Sequence, residues 1–422
     1  MYLKNIKEEI KNIKKIKIKY FLLFLVIFLP KIDLFQLPIN GVKQGPRIED
    51  IILLFFVLSF FIPSKKPLLI WSDKFIFKNW IIFFCILMFF NIIHVINGKS
   101  LNLLIFLRIF EYVILIIFLN NLLNKGNIFK IIKAFIIINF IVALLQSFNL
   151  IGSFSSIGYL PPDHLLNQRA YGILGGSWEL GIVFGILSLA CFRARNQFKN
   201  YIFYMTICSV IIFLAYGITN LLAYLTSIIF ILWFSFYERI KKFNFKFIAF
   251  AIMIPFIILV TIFLSDLNLI IVSKLENNSF ILRMSKIDFV YLYEVYREYF
   301  RTGYIPGLEV VQDPQTHYSI ILRLKTWQNS IAEFQTSNLA KFIGIGLNEL
   351  YLESLIIRTI TAVGIIGCMF VFFSIINVPM YFLIFIFICG INIDLFISIK
   401  IFIFTFMFFK INQLMKNGNN FI

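Results

Sequence analysis

Five arginines stand out as groups that could do chemistry: Arg169, Arg283, Arg297, Arg301 and Arg323. A guanidinium presents a planar fork of donors that takes phosphate oxygens two at a time, so such a set is what a lipid pyrophosphate would need. The plainer role for each is an anchor at the level of the lipid headgroups. Arg169 opens the stretch RAYGILGGSWELG, in which Gly172, Gly175, Gly176 and Gly181 permit close backbone approach or an interrupted helix around a headgroup. Glu179 lies about one turn inside the apolar run that follows. An ionisable group at membrane depth is costly enough to be a functional candidate, here a proton acceptor, unless a neighbouring arginine neutralises it. Arg108 and Glu111 stand at i and i+3 of another apolar run, which puts them on one helix face and reads as a self-paired ion pair. His317 has a titration range suited to proton transfer, whereas His94 and His164 carry less weight. No nucleotide-binding loop, zinc spacing or serine-histidine-acid order is legible, so neither metal nor cofactor is expected. Energy for a reaction here must come from a preactivated substrate.

The elements that position these groups follow from composition. Of 422 residues, 60% are apolar and only 14% charged, which excludes an ordinary soluble domain and makes lipid the solvent for most of the chain. A net charge of +18 could suggest nucleic acid, but its basic residues concentrate in short segments between apolar runs, as a membrane surface selects. Cysteines 85, 191, 208, 368 and 389 fall inside apolar runs without paired spacing and read as small core residues.

A bilayer core of about 30 Å needs roughly 17 to 25 apolar residues per helix. That ruler finds about twelve spans, near 20–38, 48–63, 79–97, 101–122, 129–150, 176–192, 201–218, 220–237, 246–265, 355–376, 378–394 and 396–410. The expected fold is an all-α polytopic membrane protein with two larger loops on the outer side. Residues 1–19 form a basic tail, 20–265 a membrane domain with about nine spans, 266–354 the larger loop, 355–410 about three further spans, and 411–422 a second tail. Excess Lys and Arg in short loops marks the cytoplasmic side. Lys65, Lys66, Lys74 and Lys78, then Lys125, Lys130 and Lys133, then Arg193, Arg195 and Lys199, then Arg239, Lys241, Lys242 and Lys246 fall there if the N-terminus is inside, and Lys410 and Lys416 return the C-terminus to the same side. The loops near 151–175 and 266–354 then face outward. The larger contains LYEVYREYF and ILRLKTWQNSIAEF, with apolar and aromatic positions three and four apart, and is expected to be partly helical.

Taken in order, RAYGILGGSWELG, RLKTWQNSIAEF, GIGLNELYLESL and AVGIIG resemble the O-antigen polymerase and ligase superfamily over nearly the whole chain. The resemblance implies about twelve spans, two periplasmic loops with essential arginines, and undecaprenyl-pyrophosphate-linked oligosaccharides as donors. Arg169 matches the loop arginine before the family's glycine-containing stretch, and Arg323 the arginine a few residues before a Trp, here Trp327. Gly344 and Gly346 match its G-x-G, and Gly364 and Gly367 its G-x-x-G. Ligases of that superfamily place a histidine where this chain has Asn348-Glu349, and His317 lies too far upstream to fill that place, so polymerase is favoured. The resemblance then implies a glycosyltransferase of the inner membrane, with both termini cytoplasmic. Arg169, Arg323 and Arg301 would hold pyrophosphate, and Glu349, Glu179 or His317 would move the proton; Glu353 is a further carboxylate near the same point. Membrane lipids and a chain-length regulator are candidate partners. The competing readings are a ligase and a transporter of the same lipid-linked units, although no internal repeat of the kind transporters carry is visible.

Overall fold

The structure is a computed structural model that describes residues 20–30, 37–39, 42–44, 47–61, 78–96, 103–123, 125–155, 158–161, 169–215, 217–240, 297, 327–346, 354–375, 378–392 and 398–418. The described chain is mostly helical. Its helices are α1 (20–28), α2 (Ile48–Phe61), α3 (Lys78–Ile96), α4 (Leu103–Leu122), α5 (Lys125–Ser147), α6 (Ser177–Arg193), α7 (Tyr201–Leu214), α8 (Ile218–Ile240), α9 (327–335), α10 (Asn338–Ile343), α11 (Leu355–Ile375), α12 (Met380–Asn392) and α13 (Ile399–Gly418). Two small antiparallel hairpins interrupt them. In one, β1 (Leu37–Ile39) pairs with β2 (Val42–Gln44), with Asn40-Gly41, a strong two-residue hairpin signal, between them in sequence. In the other, β3 (Ser153–Ser155) pairs with β4 (Gly158–Leu160).

Most expected spans coincide with helices to within a few residues. The first does not: α1 stops at residue 28, and Leu37–Ile39 is a strand. Pro30 supplies the reason, since a proline pushes the residue before it out of helical conformation. The expected tail at 411–422 begins as helix, because α13 continues to Gly418. The span expected at 246–265 lies outside the described residues. Among the described residues two helices, Asn127–Ser147 within α5 and Leu355–Ile375, are long and apolar enough to cross a membrane.

The chain divides into two units, residues 1–223 with 330–422, and residues 224–329. Within the first, hydrogen bonds and ring contacts sort the helix ends. At one end the last turns of α1, α5, α7 and α12 meet either the start of another helix or the segment that leads into α6: Leu29 with Lys400, Gln146 with Gly172, Leu214 with Ala170, and Gly390 with Ser354. At the opposite end Arg193 donates to Asn412 and Lys410 to Asn120, Trp80 stacks on Phe409, and the Lys133 ammonium lies over Phe198. The helices therefore alternate in direction. α6 runs through the middle, with every residue from Glu179 to Cys191 buried. Gly185 lets the Phe385 ring of α12 lie against its backbone. The core is apolar, yet Phe89, Ile96, Phe148 and Ile202 are exposed on the outside, while Asn139, Gln146, Glu179 and Lys400 are at most 2% exposed within it.

Of the second unit the structure describes most of α8, the single exposed residue Arg297, and the beginning of α9. α9 realises the helix expected in the second half of ILRLKTWQNSIAEF; α10 follows it, and Ser337 caps α10 by accepting from the Ala340 N–H at 3.0 Å.

Candidate functional site

Between the hairpin β3–β4 and α6 the chain runs through Arg169 to Gly176 without regular structure, yet Ala170, Gly172 and Leu174 are buried. A backbone in that position must have its polar groups satisfied from within the protein. Each N–H from Ala170 to Gly175 finds a partner. Ala170 donates to the Leu214 carbonyl at 3.0 Å and Leu174 to that of Tyr171 at 3.1 Å. The other four donate to side chains. Tyr171 and Gly172 share Gln146 Oε1, at 2.9 and 2.8 Å, Ile173 takes Asn139 Oδ1 at 3.0 Å, and Gly175 takes Glu179 Oε2 at 2.8 Å.

Two of the segment's carbonyls also find side-chain donors. Gln146 Nε2 donates to Gly152 at 3.0 Å and to Gly172 at 3.1 Å, so the amide uses both donors and both lone pairs. Lys400 Nζ donates to the Ile173 carbonyl at 3.1 Å and also to that of Leu29. Gly172 has φ +60°, and a Cβ there would press on Asn139 Oδ1 and Leu180 Cδ1, so close approach and backbone conformation both call for glycine.

Glu179 is the third residue of α6, where a glutamate reaches back to free N–H groups, and its other oxygen receives the hydroxyl of Ser398. Ser398 in turn caps α13, accepting from the Ile401 N–H at 3.2 Å. Glu179 thus sits against the N-terminal ends of two helices, where a negative charge is favoured. Lys400 faces two carboxylates electrostatically, Glu179 and Glu49.

Glu49 leads to a second polar cluster. Arg108 Nη1 lies 2.8 Å from Glu111, the expected i, i+3 pair, and also 2.9 Å from Asp50 at the start of α2. Arg47 pairs with Glu49 at 3.4 Å and donates its backbone N–H to Asp50 at 2.8 Å. Tyr112, stacked on Phe402 at 4.1 Å, ties this cluster to α13. Arg108→Leu removes the cation between two carboxylates and is expected to cost about 1–3 kcal/mol, because the side chains retain some exposure. Thermal unfolding in detergent measures the loss, and adding Asp50→Asn and Glu111→Gln is expected to recover most of it.

A third irregular feature joins two glycine motifs. α11 breaks at Gly364, with φ +61° and ψ −164°, which frees carbonyls in its middle. Ile345 N–H donates to Thr361 at 2.7 Å and Gly346 N–H to Ala362 at 3.2 Å. Gly344 and Gly346 take φ +78° and +79° to make this approach. The G-x-G and the first glycine of the G-x-x-G are therefore packed against one another, roughly 14 Å along α11 from its start.

Of the residues expected to form a site, Arg169 is half-buried at the head of the irregular segment, and Glu179, in the first turn of α6, is buried and accepts from the segment's Gly175 N–H. Arg297 is exposed. Arg283, Arg301, Arg323, His164, His317, Glu349 and Glu353 lie outside the described residues, as does the side chain of His94. Sequence reasoning missed Asn139, Gln146, Ser398 and Lys400. Each is an isolated polar residue in or beside an apolar run, which is the available signal.

Fold and site together define a mostly helical protein with a polar centre held inside apolar helices, two of them able to cross a membrane. Compared with family models, curated proteins and solved structures, the chain matches none.

Proposed function

We propose that the protein is a polysaccharide polymerase of the inner membrane, joining undecaprenyl-pyrophosphate-linked oligosaccharide repeats by block transfer at the periplasmic face. In this reading it spans the membrane about twelve times with both termini cytoplasmic, as the lysine and arginine count implies. The helix ends that gather Gln146, Glu179 and Lys400 then face the periplasm. One observation carries the reading: the segment following Arg169 is irregular backbone fixed at every N–H from Ala170 to Gly175. A fixed segment of that kind can present a guanidinium to a charged headgroup without reorganising, which is what electrostatic stabilisation of a leaving pyrophosphate requires. The resemblance to the O-antigen polymerase and ligase superfamily, carried by the order of the glycine and arginine motifs, suggests the substrate class.

In the proposed step the hydroxyl oxygen of the acceptor repeat attacks the anomeric carbon of the growing chain. The bond from that carbon to pyrophosphate breaks, and the electron pair leaves with the undecaprenyl pyrophosphate held by Arg169, Arg323 and Arg301. A carboxylate takes the hydroxyl proton. Both oxygens of Glu179 already receive donors, so Glu179 holds the segment and the proton passes to Glu349.

The test is transfer by the full chain in liposomes, given lipid-linked repeats from the source strain and read as a ladder of lengths. Arg169→Ala and Arg323→Ala are each expected to lower ladder formation by about ten- to a hundredfold, the range for losing a charge-assisted hydrogen bond. The break in α11 and the buried Lys400 also favour a second reading, a transporter of the same units, since interrupted helices and buried charges line many transport paths. Movement of intact lipid-linked units across the bilayer with no ladder would establish that reading.

A further inference from the structure

We infer that Lys400 is a positioning residue for the Arg169 segment, its ammonium serving as a resident cation for backbone carbonyls that would otherwise lie open. This rests on the proposed polymerase site and adds to it a residue from α13, which neither the motifs nor the superfamily resemblance singles out.

Lys400 is only 2% exposed and is the second residue of α13, a helix start, where the dipole disfavours a cation. A leucine or methionine would suit that apolar run without the desolvation cost. The charge is therefore expected to be there for what it touches. It touches the carbonyls of Leu29, where α1 ends, and Ile173, in the middle of the irregular segment. The carboxylates that face it are Glu179 from α6 and Glu49 from α2.

Two independent systems thus grip the segment. From α5, Asn139 and Gln146 hold Tyr171, Gly172 and Ile173 through neutral amides. From α6 and α13, Glu179 and Lys400 hold Gly175 and Ile173 through charge, with the Ser398 hydroxyl donating to Glu179. Ile173 is the residue gripped by both: its N–H goes to Asn139 and its carbonyl to Lys400. Arg169 lies four residues upstream, so releasing that carbonyl loosens the strand of chain that aims the guanidinium.

Lys400→Met alone takes a facing cation from the buried Glu179, whereas Glu49 keeps Arg47, and loss of folding would then mask any effect on the site. The informative variant is Lys400→Met with Glu179→Gln, which removes both charges. Three measurements on the full chain in lipid nanodiscs separate the roles: thermal midpoint, hydrogen exchange of the peptide covering residues 169–176, and turnover against KM for the lipid-linked donor. The double variant is expected to melt close to the wild type while exchange in 170–175 rises about tenfold and turnover falls about tenfold at nearly constant KM. Lys400→Arg, which keeps the charge but brings a fork in place of a point donor, is expected to fall between. Unchanged exchange at 170–175 overturns the inference, as does full recovery of turnover in the double variant, which would reduce Lys400 to a counter-charge for Glu179. A wild-type protein that makes no ladder refutes the polymerase reading, whereas the exchange measurement still decides whether Lys400 fixes the segment.

Discussion

Gly364→Ala is expected to lower stability by about 3–5 kcal/mol, read as a fall of about 10 °C in the thermal midpoint in detergent. Two costs add. The φ of +61° with ψ −164° falls in a region open essentially to glycine alone, worth about 1–3 kcal/mol for any other residue. The added Cβ would also lie 2.5 Å from the Gly344 nitrogen and 2.6 Å from the Phe342 carbonyl carbon. These are backbone atoms, and no side chain can swing away to make room. Relief requires the 344–346 segment to leave α11, which reopens the carbonyls of Thr361 and Ala362. Gly390→Ala is the control: its nearest neighbours are side-chain atoms of Leu355 at 3.2–3.7 Å, and the cost is expected to stay near or below about 1 kcal/mol. Equal losses in the two variants would mean that the break in α11 is not held by contact with Gly344.

Gln146→Leu is expected to cost about 4 kcal/mol by the same measurement. The residue is 1% exposed, and leucine fills nearly the same volume, so packing changes little. Four backbone groups lose their partner at once: the N–H groups of Tyr171 and Gly172 and the carbonyls of Gly152 and Gly172. A buried polar group without a partner costs about 1–3 kcal/mol, and partial relaxation of the segment brings the sum below four times that. Gln146→Glu keeps the acceptor side and loses the donors, so it is expected to lie between leucine and the wild type. A leucine variant as stable as the parent would place water, not the amide, at these groups.

How far the sequence speaks depends on what each residue must distinguish. Apolar runs such as 176–192 and 355–376 mark their helices because length and composition suffice there. Arg108 and Glu111 reveal their pairing because four-residue geometry is local. Asp50 as the second partner of Arg108, 58 residues away, has no local trace. Asn139 and Gln146 are each one amide in a run that reads as lipid-facing throughout. Where both faces of a helix are apolar, no pattern tells which side meets protein, so their role could not be read. Lys400, two residues inside a helix, reads alone as a lysine snorkelling to the interface. The glycines carried more: Gly344, Gly346 and Gly364 were marked as motifs, and all three adopt positive φ. That the two motifs pack on each other is a tertiary fact. Pro30 was the overlooked local signal, and it shortens the first helix.

The tie between α6 and α13 has a consequence for assembly. Ser398 and Glu179 stand 219 residues apart in sequence, and Lys400 and Leu29 stand 371 apart. During synthesis α1, α5 and α6 are made long before the residues that complete their polar contacts exist. Until α13 arrives, the Leu29 and Ile173 carbonyls and a carboxylate of α6 must be hydrated or borrow other partners. The earlier helices therefore have to stay parted at one end, leaving a water-accessible slot into which the last helix docks as a keystone.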